Sequence, residues 1–454
     1  MGGFFARLRQ GAVGPIWTKN GVEIEVGVPF TFLHAADLHL DSPFRGLSKV
    51  PAAVRDRLRE STFEAFARLV ETVRRERIDF VVLAGDLYDA ADRSLKAQLR
   101  MQRALNELAA EGVQTFVVHG NHDPAGGWQA KLDWPDAVHV FGTSDVACRP
   151  AYRRDGELAA HVYGISYPEA SVTDNLASRY RTRAGAPFHL ALLHANVDGN
   201  AAHDNYAPCK LAELAGAGFD YWALGHVHDR RVLREYPHVV YPGNIQGRSI
   251  RETGAKGAYV VRVSPEGQVA LSFRDTASVL WRETDVSIAG ADREQQLKDR
   301  LLASVDEARA SAGGRPVVLR IRLVGAGPLH ARLLRENAAE EWLGELREWI
   351  GDPDDRDDWV WAERLAVATS ADRDEAAADG EQGFLGELAR LAAAGRQDPE
   401  LSRLLLAEAT EPLRRQPRLR EWLDGRGEDE RSALLDRASA LAALLLKDKP
   451  EGER

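Results

Sequence analysis

Cysteine is nearly missing from this chain, with only Cys148 and Cys209 among 454 residues. The two lie far apart and fit no Cys-x-x-Cys pattern. That excludes a disulfide framework and a zinc ribbon, and makes a reducing, cytoplasmic setting the simplest expectation. Long apolar runs are missing too: nothing approaches the roughly eighteen residues that a transmembrane helix needs. The opening MGGFFARLRQGAVGPIWTKNGVEIEVG carries early basic residues but no apolar core of a secretory signal. Ala6 also stands where a myristoylation signature wants Ser or Thr. Residues 1–28 therefore read as a short extension ahead of the first core strand. The third thing lacking is an excess of positive charge. Lys and Arg number 59 against 69 Asp and Glu, for a net charge of −10. A protein that grips a long nucleic-acid backbone unaided relies on many Lys/Arg–phosphate contacts, which this balance disfavours. A phosphate-processing site is still compatible with it, because bound metals set charge locally.

The chain has the composition of an ordinary globular protein, with 44% hydrophobic and 28% charged residues, and enough length for two or three cored domains. Over 29–278, apolar β-type runs alternate with helical patterns. FTFLHAA precedes an amphipathic stretch over 52–77, and FVVLAG precedes another over 94–111. QTFVVHG, FHLALLHA and YWALGH follow, with less regular connections between them. This alternation predicts an α/β layered sandwich. Over 279–370 the order is β-α-β-α-β, with strands at WRETDVSI, PVVLRIRLVG and DWVWAERLAVAT and helices over 293–310 and 329–350. That is a small α+β domain. The acidic loop GDPDDRDD inside it lacks the Gly and Glu of a calcium loop and reads as a solvated turn. From 371 to 454 a polar linker leads into helices broken by Gly and Pro. Leu434, Ala438, Leu441 and Leu445 form a seam that suits either a helical partner or the tail's own domain.

The chemistry lies at the strand ends. YWALGHVHDR closes an apolar run with His226 and His228, and side chains at i and i+2 of an extended chain share a face. Asp37 and His39 repeat that spacing in AADLHLD. LAGDLYD supplies Asp86 and Asp89, VHGNHDP supplies Asn121, His122 and Asp123, and LLHANV supplies His194. Any one of these has an ordinary explanation as a turn residue or a structural histidine. Five consecutive strand ends so equipped point to a shared site, because functional groups in such sheets collect just beyond the C-terminal ends of strands.

In this order, Asp-x-His, Gly-Asp, Gly-Asn-His-Asp, His and Gly-His-x-His closely resemble the calcineurin-like metallophosphoesterases. The resemblance implies a four-layer α/β/β/α sandwich holding two divalent metal ions. Asp37, His39, Asp86 and His228 would hold one ion, and Asp86, Asn121, His194 and His226 the other, with Asp86 bridging. Two such ions polarise a phosphoryl oxygen and lower the pKa of a water between them. In this family His122 would act on the leaving oxygen or the transition state without binding metal, and Asp89 would orient it. The mixed donors suit manganese, iron or zinc. Related DNA nucleases favour Mn2+, which is the expectation here.

Further segments, LHAADLHLDSPF, GISYPEASVTDNLA, HANVDGNAAHDNYAPC and YPGNIQGRSIRETGAKGAYVV, resemble the bacterial YhaO-type DNA repair exonucleases related to SbcD. The resemblance is strong over about 30–275 and weaker beyond. It implies DNA as substrate, a capping role for 279–370, and docking of 371–454 on an SbcC-type coiled-coil ATPase, with homodimers common among relatives. Asn244, Gln246, Arg248 and Arg251 are candidates for contact with a substrate strand, the alternative being a self-bonded turn. His203 and Tyr206 are candidates for the cleft border. Two other functions fit the sequence: a small-molecule phosphodiesterase or phosphatase of the same fold, which the acidic charge favours, and a regulatory scaffold of an ATPase.

Overall fold

A computed structural model of the chain describes residues 27–44, 50–89, 94–199, 204–371 and 398–414 continuously, and isolated positions elsewhere. The chain divides into two compact units, Met1–Trp281 and Arg282–Arg454. In the first unit, β1 (Phe30–Ala35), β2 (Phe80–Ala84), β3 (Gln114–Val118) and β4 (Val138–Val140) run parallel side by side. The chain then builds a second sheet from β5 (Ala147–Tyr152), β6 (Leu158–Gly164), β7 (His189–His194), β8 (Tyr221–Gly225), β9 (Arg231–Glu235) and β10 (His238–Tyr241). Its order is β9-β10-β8-β7-β6-β5. β11 (Gly257–Val263) returns to the first sheet antiparallel to β1, and β12 (Val269–Asp275) completes it as β12-β11-β1-β2-β3-β4.

The strand sequences explain the layering. β2 (FVVLA) and β8 (YWALG) are buried at every position, as parallel strands covered on both faces must be. Alternation then assigns the faces. Phe32, Phe80, Phe116, Leu190, Leu192 and Tyr221 interlock between the two sheets. Leu33, Val81, Leu83 and Val117 face the other way, under α1 (Ala52–Arg75) and α2 (Leu95–Ala110). Ala191, Leu193, Trp222 and Leu224 form the outer face of the second sheet, covered by α3 (Leu211–Gly216) and its connections. The result is the expected four-layer α/β/β/α sandwich. The outer pairs of strands in the second sheet, β9 with β10 and β5 with β6, of which β9 and β5 form its edges, fall in what the sequence presented as irregular connections.

The second unit carries a sheet ordered β13 (Leu280–Ser287), β14 (Val317–Ala326), β15 (Val360–Ser370), β13 starting just before the boundary. β14 and β15 run parallel. α4 (Glu294–Ala310) buries Leu297, Leu301 and Val305, and α5 (Ala338–Ile350) buries Leu343 and Leu346. The apolar pattern over 329–350 predicts one helix. The structure has instead a single turn, His330–Leu333, and then α5, separated where Asn337 takes a left-handed φ of 63°. Asn tolerates that conformation better than most residues. The acidic loop is a short 3-10 turn in which the Asp352 carboxylate accepts from the Asp354 N–H. α6 (Pro399–Arg414) follows. Leu434 and Ala438 of the leucine seam are helical, while Leu441 and Leu445 lie outside the described residues, as does most of the extension over 1–28. No helix among the described residues is long and apolar enough to cross a membrane.

Phe80 is the keystone between the sheets, with its ring centroid 5.3 Å from that of Phe32 and 5.8 Å from those of Phe30 and Phe116. Phe80→Ala is expected to destabilise the first unit by about 3–5 kcal/mol, the usual result of emptying a buried aromatic site. Urea unfolding followed by tryptophan fluorescence measures it.

Candidate metal centre

Backbone pairing draws the strand ends into one place. Beyond β1 and β2 the two loops continue side by side: the N–H groups of Asp37, His39 and Leu40 donate to the carbonyls of Gly85, Asp86 and Leu87 at 2.9–3.0 Å. Asp123 clamps the next pair of loops from within. Its buried carboxylate accepts from the N–H groups of Asp86, Leu87 and Gly120 and from His119 Nδ1, at 2.7–3.1 Å. The His226 N–H donates to both oxygens of Asp37, at 3.0 and 3.2 Å. The His122 N–H donates to Asp86 Oδ1 at 2.9 Å. A side chain at Gly120 would collide with the Asp86 carboxylate and the His194 ring, so glycine there is what lets the third loop approach.

The backbone is strained where these loops turn. Asp37 (φ 51°), His39 (42°), Asp86 (51°) and His226 (102°) all lie in the left-handed region. Each such residue costs on the order of 1–3 kcal/mol and persists only where its surroundings over-determine it. The hydrogen bonds just described supply that constraint.

Four imidazoles share one arrangement. His39 donates from Nδ1 to Asp89 Oδ1 (3.0 Å), His194 from Nδ1 to the Ala84 carbonyl (2.8 Å), His226 from Nε2 to the Asp204 carbonyl (2.7 Å), and His228 from Nδ1 to Glu252 Oε1 (2.8 Å). A carbonyl or carboxylate oxygen can only accept, so each neutral ring has spent its single hydrogen outward. In that neutral form the inner nitrogens carry lone pairs, and they meet other acceptors. His39 Nε2 lies 3.3 Å from His228 Nε2 and 3.7 Å from Asp86 Oδ2. His194 Nε2 lies 3.0 Å from Asn121 Oδ1 and 3.4 Å from Asp86 Oδ2, and His226 Nδ1 lies 3.2 Å from Asn121 Oδ1. One ligand atom from each of Asp37, His39, Asp86 and His228 falls within 4.8 Å of the others. Acceptor facing acceptor at these distances is repulsive unless a cation lies between. The donor set therefore fits two divalent ions, one on each side of Asp86, with every imidazole oriented by an outward partner as metal-binding histidines usually are.

The electrostatics differ between the two sides. Burial, with the Arg248 charge behind it, pushes the His39 imidazole down to about 3, so it stays neutral. Burial also pushes His194 down, but Asp86 and then Asp37 outweigh it and raise the group to about 9. Burial raises the Asp37 carboxyl. Burial acts on Asp86 in the same sense, yet the charge and hydrogen bond of His194 hold its carboxyl well below the usual range.

His122 stands at the mouth, its side chain 45% exposed and its Nδ1 2.8 Å from Asp89 Oδ1. Burial lowers its pKa, but the Asp89 hydrogen bond and the charges of Asp86 and Asp89 together outweigh this, and the net shift is upward. Asp89 also accepts from Ser42 Oγ at 2.5 Å. Despite its burial, the bonds from His122 and His39 keep it well below the carboxylate range. Arg248 reaches the same corner, donating from Nη1 to Ser42 Oγ at 3.0 Å, with the guanidinium 4.0 Å from Asp89 Oδ2. The Tyr206 ring borders His226, centroids 6.0 Å apart, and Arg251 is exposed. His203 lies outside the described residues.

Two expectations are corrected. Asn244 and Gln246 are each 1% exposed and cannot meet a substrate strand. Gln246 bonds the backbone of Gly247, Ser278 and Val279, and Asn244 bonds Glu252 and the Gln246 carbonyl. They belong to the self-bonded turn. The residue that sequence reasoning passed over is Glu252, in the same segment.

Residues 30–230 match the family described as calcineurin-like phosphoesterase, and residues 281–370 match that described as metallophosphoesterase YhaO, middle domain. Metallophosphoesterase YhaO of Bacillus subtilis (strain 168) is 36% identical over 418 residues, covering 92% of this chain and 98% of that protein. The chain belongs to the YhaO-type metallophosphoesterases. More distant similarity extends to the DNA double-strand break repair protein Mre11 of Methanopyrus kandleri, 27% identical over 69% of this chain and 70% of that one. The SbcD component of the nuclease SbcCD from Bacillus subtilis is 27% identical over 51% and 66%. Membership in this phosphoesterase family makes the chain a hydrolase, and the Asp/His cluster is its candidate dimetal site.

A proton competes with metal at His194. Below about pH 9 the metal-free ring is protonated, and ligation needs its Nε2 lone pair, so metal binding must expel that proton. Apparent affinity is expected to tighten as pH rises from 6 towards 9. Calorimetry in buffers of different ionisation enthalpy should show proton release at pH 7, whereas a buffer-independent enthalpy would contradict it.

Proposed function

We propose that this YhaO-type protein is a manganese-dependent phosphodiesterase that hydrolyses DNA, working as a repair exonuclease with an SbcC-type coiled-coil ATPase in the cytoplasm. The observation that carries the reading is the set of four imidazoles turned inward on Asp37, Asp86 and Asn121, with His122 at their mouth. Asp37, His39, Asp86 and His228 would hold one ion, and Asp86, Asn121, His194 and His226 the second. Mn2+ is assigned, and Fe or Zn suits the same donors. When bound, such ions supply Lewis-acid polarisation of a phosphoryl oxygen and activate water at neutral pH.

The protein's own groups divide the remaining work. Asp89 takes the Nδ1 hydrogen of His122, which fixes the ring and leaves Nε2 for the substrate. The raised pKa favours the protonated ring, the form that can give a proton to the leaving oxygen. Arg248, beside Asp89 and Ser42, is positioned to meet a phosphate, while Arg251 and Tyr206 border its approach. The relatives named for DNA repair and nuclease function support DNA as substrate. In this reading 279–370 acts as a cap, 371–454 contacts the ATPase, the partner supplies the basic surface that a net charge of −10 lacks, and a homodimer is compatible. That same charge favours the second reading, a small-molecule phosphodiesterase.

Wild type and His122→Ala, each given end-labelled duplex DNA, single-stranded DNA and bis-p-nitrophenyl phosphate with manganese, separate the two. The expected result is DNA degradation that EDTA abolishes and that the substitution lowers by about 10²–10⁴-fold, the usual contribution of a positioned acid or base. Cleavage of the small diester alone would favour the second reading. Inertness of highly purified wild type towards all three would overturn both.

A further inference from the structure

Glu252 carries more bonds than a turn needs. It is largely buried, and its Oε1 accepts from His228 Nδ1 at 2.8 Å. Its Oε2 accepts from the Arg248 N–H at 2.7 Å and from Asn244 Nδ2 at 2.9 Å, and the Arg248 guanidinium lies 3.5 Å from Oε1. One carboxylate therefore closes the loop over 244–252 on itself and holds the outer nitrogen of a candidate ligand. Arg248, fixed at its backbone by Glu252, donates to Ser42 Oγ, and Ser42 donates to Asp89. Asp89 in turn holds both His39 and His122. The path His228–Glu252–Arg248–Ser42–Asp89–His39 is a ring, and its two ends meet where His39 Nε2 and His228 Nε2 lie 3.3 Å apart.

We propose that Glu252 is the positioning residue of the ion site formed by Asp37, His39, Asp86 and His228, tying that site through Arg248 and Ser42 to the carboxylate that orients His122. The inference rests on the two-ion reading of the centre. Its reasoning is steric and electrostatic. A carboxylate at Nδ1 fixes the tautomer that offers the Nε2 lone pair inward, and its charge raises the basicity of that nitrogen. The other ion's histidines lean on main-chain carbonyls instead, His194 on Ala84 and His226 on Asp204. Loss of Glu252 therefore acts on one ion and spares the other. A residue that merely kept the fold together would weaken both sites.

The test titrates Mn2+ alone into the metal-free full-length protein, read by calorimetry and by electron paramagnetic resonance, for wild type and Glu252→Gln. Wild type is expected to take two ions with the spectrum of an exchange-coupled pair. Glu252→Gln is expected to bind one ion as wild type does and the second about 10–100-fold more weakly, the usual cost of losing an outer partner of a metal-binding histidine. It should then show an isolated-ion spectrum at intermediate metal. Two ions bound with wild-type affinities by Glu252→Gln would overturn the role of Glu252 and leave the dimetal reading standing. A wild type that never takes two ions would overturn the dimetal reading and this inference with it. Should Glu252→Gln fail to fold, nitrogen-15 spectra of histidine side chains in metal-free wild type decide instead. His228 protonated on Nδ1 supports the proposal, and His228 protonated on Nε2 overturns it.

Discussion

Too many electron pairs are pointed at one small volume, and the rest of this structure follows from that. Asp37 and Asp86 are buried carboxylates, and around them four imidazoles turn lone pairs inward because their hydrogens are already committed outward. Buried charge and acceptors crowded against acceptors are costly in a low-dielectric interior. The arrangement is stable only if positive charge enters it, as metal or as proton. The elevated affinity of His194 for a proton is the same demand seen from the metal-free side.

The sandwich is built to hold that demand in place. Parallel strands end at one edge of each sheet, and a candidate ligand closes or follows each of β1, β2, β3, β7 and β8. The turns that carry the candidate ligands are left-handed at Asp37, His39, Asp86 and His226, conformations that side chains other than Gly adopt at a cost. They are held by main-chain bonds between neighbouring loops and by Asp123, whose carboxylate gathers three backbone N–H groups. Asp123 shares a motif with His122 and does a different job: one faces inward as a clamp, the other outward to the mouth.

Much of this was legible in the amino-acid order. The apolar runs FVVLA and YWALG could only be doubly covered strands, and polar residues placed directly after such runs must gather at a sheet edge. That local rule, narrowed by the family resemblance, made Asp37, His39, Asp86, Asn121, His194, His226 and His228 readable as candidates. It fails for the segment over 244–252, where no period or strand end says which side chain turns inward. Asn244 and Gln246 looked as available as Arg248, yet they are buried in bonds to the backbone and to Glu252. Glu252 was invisible for the same reason, since its partners His228 and Arg248 meet it through folding rather than through spacing. The break at Asn337 was hidden by an apolar pattern that continued across it.

The central claim is that two cations belong in the acceptor cluster around Asp86. Anomalous diffraction from crystals grown with Mn2+, recorded near the manganese edge, tests it most directly. The account predicts two peaks roughly 3.5–4 Å apart, one among Asp37, His39, Asp86 and His228 and the other among Asp86, Asn121, His194 and His226. No peak in this cluster at saturating metal, or a single ion with Asn121, His194 and His226 turned away from it, would contradict it.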